Sequence, residues 1–190
     1  MKTLLFSIAF ACITYSGFAA TPADSVHLTV DGNIAYYQRV VKADSIPEGL
    51  IFSRALLFFA AKNFQQNYGS ESEGKLIFNT TQDLNVNPVY IGDENDDIQP
   101  YTVQFAITVD MKNNRYRYKI SNIVIFRPTE TGNKRLTMYD EYQKANSQES
   151  RRVQRDAQKL ITSFETYIGS LTAELYKAIK PQSMVYDTNF

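Results

Sequence analysis

The sequence predicts an α+β domain in which an antiparallel sheet of about four or five strands is packed on one face by two helices. Residues 101–110 alternate apolar and polar side chains, which is typical of a half-buried strand. Residues 111–114 follow as a turn, because Asn113 and Asn114 tolerate the positive φ that a tight hairpin needs. An apolar stripe recurs at helical spacing from Val153 to Ile179. These three patterns predict a hairpin with a long helix packed against it.

Residues 1–19 are predicted to be a signal peptide. Lys2 supplies the positive start, residues 4–13 are uncharged and apolar, and small residues lie at Gly17 and Ala19. The apolar run is shorter than the roughly 20 residues that a membrane-spanning helix needs. Cleavage after Ala19 would give a mature chain that starts near Ala20. We therefore expect a periplasmic or secreted protein without a transmembrane helix.

Cys12 is the only cysteine, and it lies within this leader. After cleavage the chain would have no thiol for a disulfide, a nucleophile or a metal site. An alternative makes Cys12 the acylated first residue of a lipoprotein, because Ala9 and Ala11 occupy the small positions of such a signal. Phe10 departs from that pattern. The alternative would add a lipid anchor without changing the fold.

About 170 residues remain after the leader, which suits one domain with a substantial core. We expect a flexible lead-in at 20–33, a single domain at 34–180 and a loose C-terminal tail at 181–190. Lys and Arg together number 20, as do Asp and Glu, so the formal net charge is zero. A nucleic-acid binder needs excess positive charge to neutralise phosphates, so we expect no nucleic-acid partner.

The first half of the domain is predicted to contain a strand, a helix and a second strand. Residues 34–41 are rich in tyrosine and valine and indicate a strand. Asp44 or Ser45 is expected to cap a helix that runs to about Asn67 and stops at Gly69. Its buried side is expected to carry Leu50, Leu57, Ala61, Phe64 and Tyr68, with Phe58 and Phe59 widening the apolar surface. Residues 74–80 indicate the next strand.

The second half is predicted to contain a long loop, the hairpin and the last helix. Residues 83–99 are polar and contain Pro88 and Gly92, which indicates a mobile loop or one short strand at 89–91. In the return strand the apolar set shifts register after Ile120, which predicts a β-bulge near Ser121 and Asn122. Residues 127–150 read as a polar connection, and the last helix is expected to end before Pro181.

The order of these parts resembles a family of exported bacterial domains described as having a TATA-binding-protein-like (TBP-like) fold. The resemblance rests on the Asp-Ser-Ile-Pro start at 44–47, Gly-Lys-Leu-Ile at 74–77 and Arg-Tyr-Arg-Tyr-Lys-Ile at 115–120, and it covers about residues 34–127. Asn114 replaces the turn glycine of the family. The family is commonest in the Bacteroides phylum and has no established activity, so the resemblance implies a fold and a compartment. DNA binding does not follow, because the chain lacks the positive charge.

Two groups of residues are candidate sites. Asp93, Asn95 and Asp97 have the spacing with which a calcium loop begins, but Ile98 and Gln104 replace the glycine and glutamate of that pattern. We therefore favour a solvated acidic loop, with weak calcium binding as the alternative. Arg115, Arg117 and Lys119 share one side of their strand and are candidates to bind an acidic glycan, a carboxylate or a partner strand. A solvent-exposed side of an ordinary amphipathic strand explains this basic row equally well.

No catalytic constellation is recognisable. His27 is the single histidine, and neither a nucleophile elbow nor a phosphate-binding glycine loop occurs. We expect a non-enzymatic binding or assembly module for an envelope protein or glycan, with no cofactor. One alternative is an envelope hydrolase that uses carboxylates of the Asp93 loop, which would require a pocket containing perturbed carboxylates. Another is a structural partner subunit with an exposed apolar patch at Phe58 and Phe59.

Overall fold

The computed structural model describes residues 26–86, 99–129 and 131–180. These residues form seven strands and three helices. The elements are β1 (Thr29–Asp31), β2 (Ile34–Lys42), α1 (Glu48–Ala61), β3 (Gln65–Ser70), β4 (Lys75–Val86), β5 (Gln99–Lys112), β6 (Arg115–Thr129), β7 (Gly132–Thr137), α2 (Met138–Ala145) and α3 (Arg151–Ile179).

The strands form one antiparallel sheet in the order β1-β2-β6-β5-β4-β3. One edge of β6 pairs with β5, and the other pairs with β2 along 115–120 and with β7 along 124–129. The α+β class and the antiparallel sheet are confirmed. The predicted four or five strands and two helices are too few for the described residues, because β1, β3, β7 and α2 carry weak sequence signals.

The inner face of the sheet is apolar and packs against the helices. Alternate side chains of β5 are buried from Tyr101 to Val109, as the period-two pattern predicts. The Phe105 ring lies 5.5 Å from the ring of Phe164 on α3, and the Phe59 ring of α1 lies 4.6 Å from Phe78 on β4. Since side chains alternate along a strand, the intervening residues of β4, β5 and β6 form a second, outer face directed away from the helices.

The predicted β-bulge is confirmed in β6. Ala106 pairs with Ser121 and Gln104 pairs with Val124, so Asn122 and Ile123 together lie opposite Phe105. Asn122 has φ of 54°, in the left-handed region that asparagine tolerates. Because of the extra residue, Ile123 and Ile125 return to the buried inner face.

The predicted cap of α1 by Asp44 or Ser45 is wrong. Ser45 has φ of 66° and lies in a turn in which the Ile46 amide donates to the Ala43 carbonyl at 3.1 Å. The helix begins at Glu48 after Pro47, which forms no side-chain cap. The Glu48 amide instead donates to Oδ1 of Asn113 at 3.1 Å. This contact joins the start of α1 to the β5–β6 hairpin, and a local pattern cannot predict it.

The predicted extension of α1 to Asn67 is also wrong. Asn63 has φ of 58°, its amide donates to the Ala60 carbonyl, and the Phe64 amide donates to the Phe59 carbonyl. This pair of hydrogen bonds is a Schellman motif with asparagine in the position that glycine usually takes. The helix therefore ends at Ala61, and residues 65–70 are free to pair with β4 as β3.

The buried side of α1 also differs from the prediction. Ile51, Ala55 and Phe59 are buried, whereas Leu57 is 69% exposed and Leu50 is 40% exposed. The predicted apolar patch at Phe58 and Phe59 is wrong, because Phe59 is fully buried and Phe58 is half-buried against the core. The middle of α1 is apolar all round, so its sequence pattern alone does not select the side that meets the sheet.

Two predicted connections are partly regular structure. Residues 83–86 extend β4, and β5 begins at Gln99, whereas the remainder of the predicted loop lies outside the described residues. In the stretch 127–150, β6 continues to Thr129, and β7 and α2 follow. Thr137 and Asp140 form a capping box at the start of α2, with the Asp140 amide donating to Thr137 Oγ1 at 3.1 Å. In the predicted lead-in, Thr29–Asp31 pairs with β2.

Several tyrosines are buried between the sheet and α3. The hydroxyls of Tyr37 and Tyr116 have no hydrogen-bond partner among the described residues. Burial raises the pKa of both phenols well above the usual value, and the nearby Glu165 carboxylate adds to the rise at Tyr37. Burial, assisted by Glu174, also raises the pKa of Tyr167 to about 12.

The aromatic contact between Phe105 and α3 should dominate folding stability. Phe105→Ala removes ring contacts with Phe64, Phe164 and Tyr167, so we expect urea unfolding to show a loss of about 3–5 kcal/mol. Leu57→Ala, at an exposed position, should change the free energy of unfolding by less than about 0.5 kcal/mol. Equal effects of the two substitutions would contradict this packing.

The buried tyrosines should make the protein sensitive to alkali. Above about pH 10 the tyrosines of the unfolded chain ionise while Tyr37 and Tyr116 stay neutral in the fold, so the unfolded state gains stability. Each such tyrosine should lower the free energy of unfolding by about 1.4 kcal/mol per pH unit there, with no effect at neutral pH. Urea unfolding at stepped pH measures this slope. The Tyr37→Phe/Tyr116→Phe variant should show a shallower slope, and an unchanged slope would refute the assignment.

Candidate functional site

A concavity is lined by outward residues of the sheet, among them Asn79, Gln104 and Ala106, and also by Thr80, Gln82 and Phe105, which belong to the inner set of their strands. Its volume is about 740 Å³, and it extends across the middle of β4, β5 and β6 to the start of β3. The lining residues are Lys62, Asn63, Gln65, Asn79, Thr80, Thr81, Gln82, Gln104, Phe105, Ala106, Asn122 and Val124. We call this concavity the amide trough.

Strand register brings the trough residues together. Asn79 pairs with Gln65 on one side and with Ala106 on the other, which places three strands side by side. In the next row Thr81 pairs with Gln104, which pairs with Val124. The bulge adds Asn122 between these rows. The turn after α1 contributes Lys62 and Asn63 at one end, where β3 stops pairing with β4.

Ala106 is the smallest side chain of the trough. It occupies an outward position on β5, between Asn79 of β4 and Ser121 of β6, and is only 8% exposed. The small side chain leaves room that a longer one would fill. Ala106 therefore provides a position at which the trough can be blocked without touching the inner core.

The trough is polar but almost free of titratable groups. Six of its lining residues are asparagine or glutamine, and two are threonine. Each side-chain amide has an NH₂ group that donates hydrogen bonds and an oxygen that accepts them. Each threonine hydroxyl can both donate and accept. Lys62 is the one titratable lining residue, and its Nζ lies 2.6 Å from Glu174 Oε2 and 5.4 Å from the Phe58 ring centroid. The trough can thus form many neutral hydrogen bonds, and none of its described lining residues carries a carboxylate, although Glu174 contacts Lys62 at one end.

The predicted basic row lies on the outer face at the hairpin end. Arg115, Arg117 and Lys119 project away from the buried Tyr116, Tyr118 and Ile120, as the alternation predicts. Arg117 donates through Nη2 and Nε to Asp110 Oδ2, at 2.6 and 3.1 Å. Lys119 Nζ lies 4.4 Å from the centroid of the Tyr36 ring. Two members of the row therefore have partners within the sheet, whereas Arg115 is exposed.

The calcium candidates Asp93, Asn95 and Asp97 lie outside the described residues. Within the described ranges, no group of three or more histidine, cysteine, aspartate or glutamate side chains is arranged to hold a metal ion. No helix in the same ranges is long and apolar enough to cross a membrane. His27 is exposed near the start of the described chain.

Sequence reasoning missed the amide trough because its residues are scattered over several elements without a local spacing. Gln104 and Ala106 were recognisable as the outward half of an alternating strand. Their neighbours on β3, β4 and β6 follow only from strand pairing, and the bulge shifts that pairing by one residue. A pattern read along a single strand does not contain this information.

An antiparallel sheet covered on one face by helices places this chain in the class of proteins with a TBP-like fold. Residues 37–126 match the family described as domain of unknown function (DUF4468) with TBP-like fold. This part of the chain is therefore similar to that family, as the resemblance indicated.

Solved structures share the fold at low sequence identity. A TBP-like protein from Parabacteroides distasonis ATCC 8503 is 14% identical with a TM-score of 0.63, over 80% of this chain and 97% of that one. A DUF4468 family protein from Bacteroides ovatus ATCC 8483 is 9% identical with a TM-score of 0.61, over 78% and 90% of the two chains. No curated protein matches this chain. The likeness to the two structures concerns the fold alone.

The bulge that shapes the trough should depend on the left-handed backbone of Asn122. Asn122→Ala places an ordinary side chain at φ of 54° and should unfold with about 1 kcal/mol less free energy than Asn122→Gly. Both variants remove the amide, so their difference reports the backbone only. Urea unfolding of the pair provides the measurement, and an alanine variant as stable as the glycine variant would exclude the bulge geometry.

Proposed function

We propose that this chain is a non-enzymatic binding module of the bacterial cell envelope, and that the amide trough binds a glycan. The observation that carries the proposal is the chemistry of the trough, where amides and hydroxyls surround a concavity of about 740 Å³. The leader pattern at 1–19 supports the location in the envelope.

Sugars and the trough have matching hydrogen-bond chemistry. Each sugar hydroxyl both donates and accepts, and the side chains of Asn79, Gln104 and Asn122 do the same. A charged ligand would lose its hydration in the trough without gaining an opposite charge as partner. A neutral ligand avoids this desolvation cost. A protein partner is the alternative, but a flat protein surface would leave the trough amides without direct partners.

The absence of a carboxylate among the trough's described lining residues favours binding without reaction. Glycoside hydrolysis commonly requires two carboxyl groups on either side of the scissile bond, and the trough supplies none. The hydrolase alternative therefore depends on the Asp93 loop, which lies outside the described residues. The structural-subunit alternative has less support, since Phe59 is fully buried and Phe58 is half-buried against the core.

Blocking the trough should abolish glycan binding. Ala106→Leu extends a side chain into the concavity from its base, so we expect affinity for oligosaccharides to fall at least tenfold, or about 1.4 kcal/mol. An immobilised panel of neutral gluco-, manno-, galacto- and xylo-oligosaccharides identifies a binding member, and calorimetry with that member then compares the variants.

Thr108→Leu is the matched control, because Thr108 lies on the same face of β5 outside the trough lining. It should retain the native affinity. Gln104→Ala is a second test variant. Because Gln104 is exposed, its loss should leave the fold intact and still weaken binding. Binding that survives Ala106→Leu, or a panel with no binding member, would refute the glycan assignment.

A further inference from the structure

We propose that three cations at the hairpin end of the outer face bind the carboxylate groups of an acidic glycan. They are Lys42 on β2, Arg115 on β6 and Lys112 on β5, and we call them the cation row. The inference rests on the proposed function, because it places the charged part of the same ligand on the same face. It replaces the predicted row of Arg115, Arg117 and Lys119 with a row that runs across the strands.

Strand register aligns the cation row. Lys42 is the direct partner of Arg115, and Arg115 is the direct partner of Lys112. All three side chains occupy outward positions and are exposed. Because neighbouring strands are about 5 Å apart, the Cα atoms of the three cations lie within about 10 Å on one line.

This alignment works against folding. Like charges directly opposite each other on neighbouring strands repel and destabilise the sheet. Within residues 26–86, 99–129 and 131–180, none of the three cations forms an ion pair with a carboxylate, whereas nearby Arg117 pairs with Asp110. An anionic ligand would relieve the repulsion, so the row has the charge pattern of a binding site rather than that of a stabilising network.

A shallow cavity accompanies the row. It measures about 230 Å³ and is lined by Lys112, Arg115, Arg117, Asp110, Tyr116 and Val40. Val40 is 57% exposed, which gives the cavity an apolar surface beside the cations. A guanidinium can bind a carboxylate through two parallel hydrogen bonds, and the exposed Arg115 is available for such a contact.

The cation row and the amide trough belong to one continuous surface. The distance from Ala106 to Lys112 along β5 is about 20 Å, with outward Thr108 and Asp110 between them. An extended oligosaccharide can therefore place neutral hydroxyls in the trough and carboxylates at the row. A short neutral sugar would reach the trough alone.

The test compares oligogalacturonate, which carries one carboxylate per sugar, with its methyl ester, which has the same backbone without charge. We expect native protein to bind oligogalacturonate about tenfold more tightly than the ester in calorimetry at about 50 mM NaCl. Lys42→Gln/Lys112→Gln/Arg115→Gln should erase this preference and leave the affinity for the ester unchanged. The variant should be at least as stable as the native protein in urea, because the repulsion is removed.

Lys134→Gln, at an exposed lysine on β7, is the matched control and should keep the preference. The preference should also vanish at about 500 mM NaCl in native protein, because salt screens exposed charges. Ester binding without a preference for the acid would overturn the cation row and spare the trough. Binding of neither glycan would also overturn the cation row, whereas the neutral panel alone decides the trough. Equal binding of polyglutamate and oligogalacturonate would show recognition of charge alone and overturn the glycan assignment of the row.

Discussion

The packing of α3 on the inner face of the sheet determines which surface of the molecule is left free. The Phe164 ring lies between Tyr37 of β2 and Phe105 of β5, at 5.7 and 5.5 Å between ring centroids. Burial of large aromatic side chains provides a major part of the free energy of folding, and this burial holds the helices against the inner face. The three helices within residues 26–86, 99–129 and 131–180 then leave the other face of the same strands uncovered. The proposed binding surface is a consequence of where the core lies.

Side-chain alternation lets the two faces of the sheet differ in chemistry. Along β5 the inward residues are aromatic or aliphatic, while the outward set includes Gln104, Thr108 and Asp110. The bulge at Asn122 changes the phase in β6 and keeps Ile123 and Ile125 inward. Without this extra residue, those two isoleucines would lie on the open face. The left-handed backbone of Asn122 thus keeps the two isoleucines in the apolar core and off the polar face.

The sequence predicted those parts of the fold whose signal is local. Alternation in β5, the turn at Asn113 and Asn114, the bulge and the stripe of α3 were all identified from spacing. The start of α1 was not, because Asn113 supplies its cap from another element. Its end was missed because Asn63, rather than a glycine, closes the helix. Thr137 and Asp140 have the spacing of a capping box, but no apolar run follows them in the sequence, so the pattern gives only a weak signal for α2.

The candidate sites were less accessible from sequence than the fold. Arg115 was identified as exposed and basic, but its partners Lys42 and Lys112 become neighbours only through strand pairing. The same is true of Asn79 and Gln104 in the trough. A surface that crosses several strands requires the register of every pair. Register is a tertiary property, so a reading along the chain finds single members of such a site.

The central claim is that the open face of the sheet is the ligand-binding surface. Its most direct test is an NMR titration that follows the side-chain amide signals of asparagine and glutamine as the best-binding neutral oligosaccharide is added. We predict shifts at Asn79, Gln104 and Asn122, with no change at Gln143 on α2 or Gln158 on α3. Shifts confined to the helices, or none at all, would contradict the account.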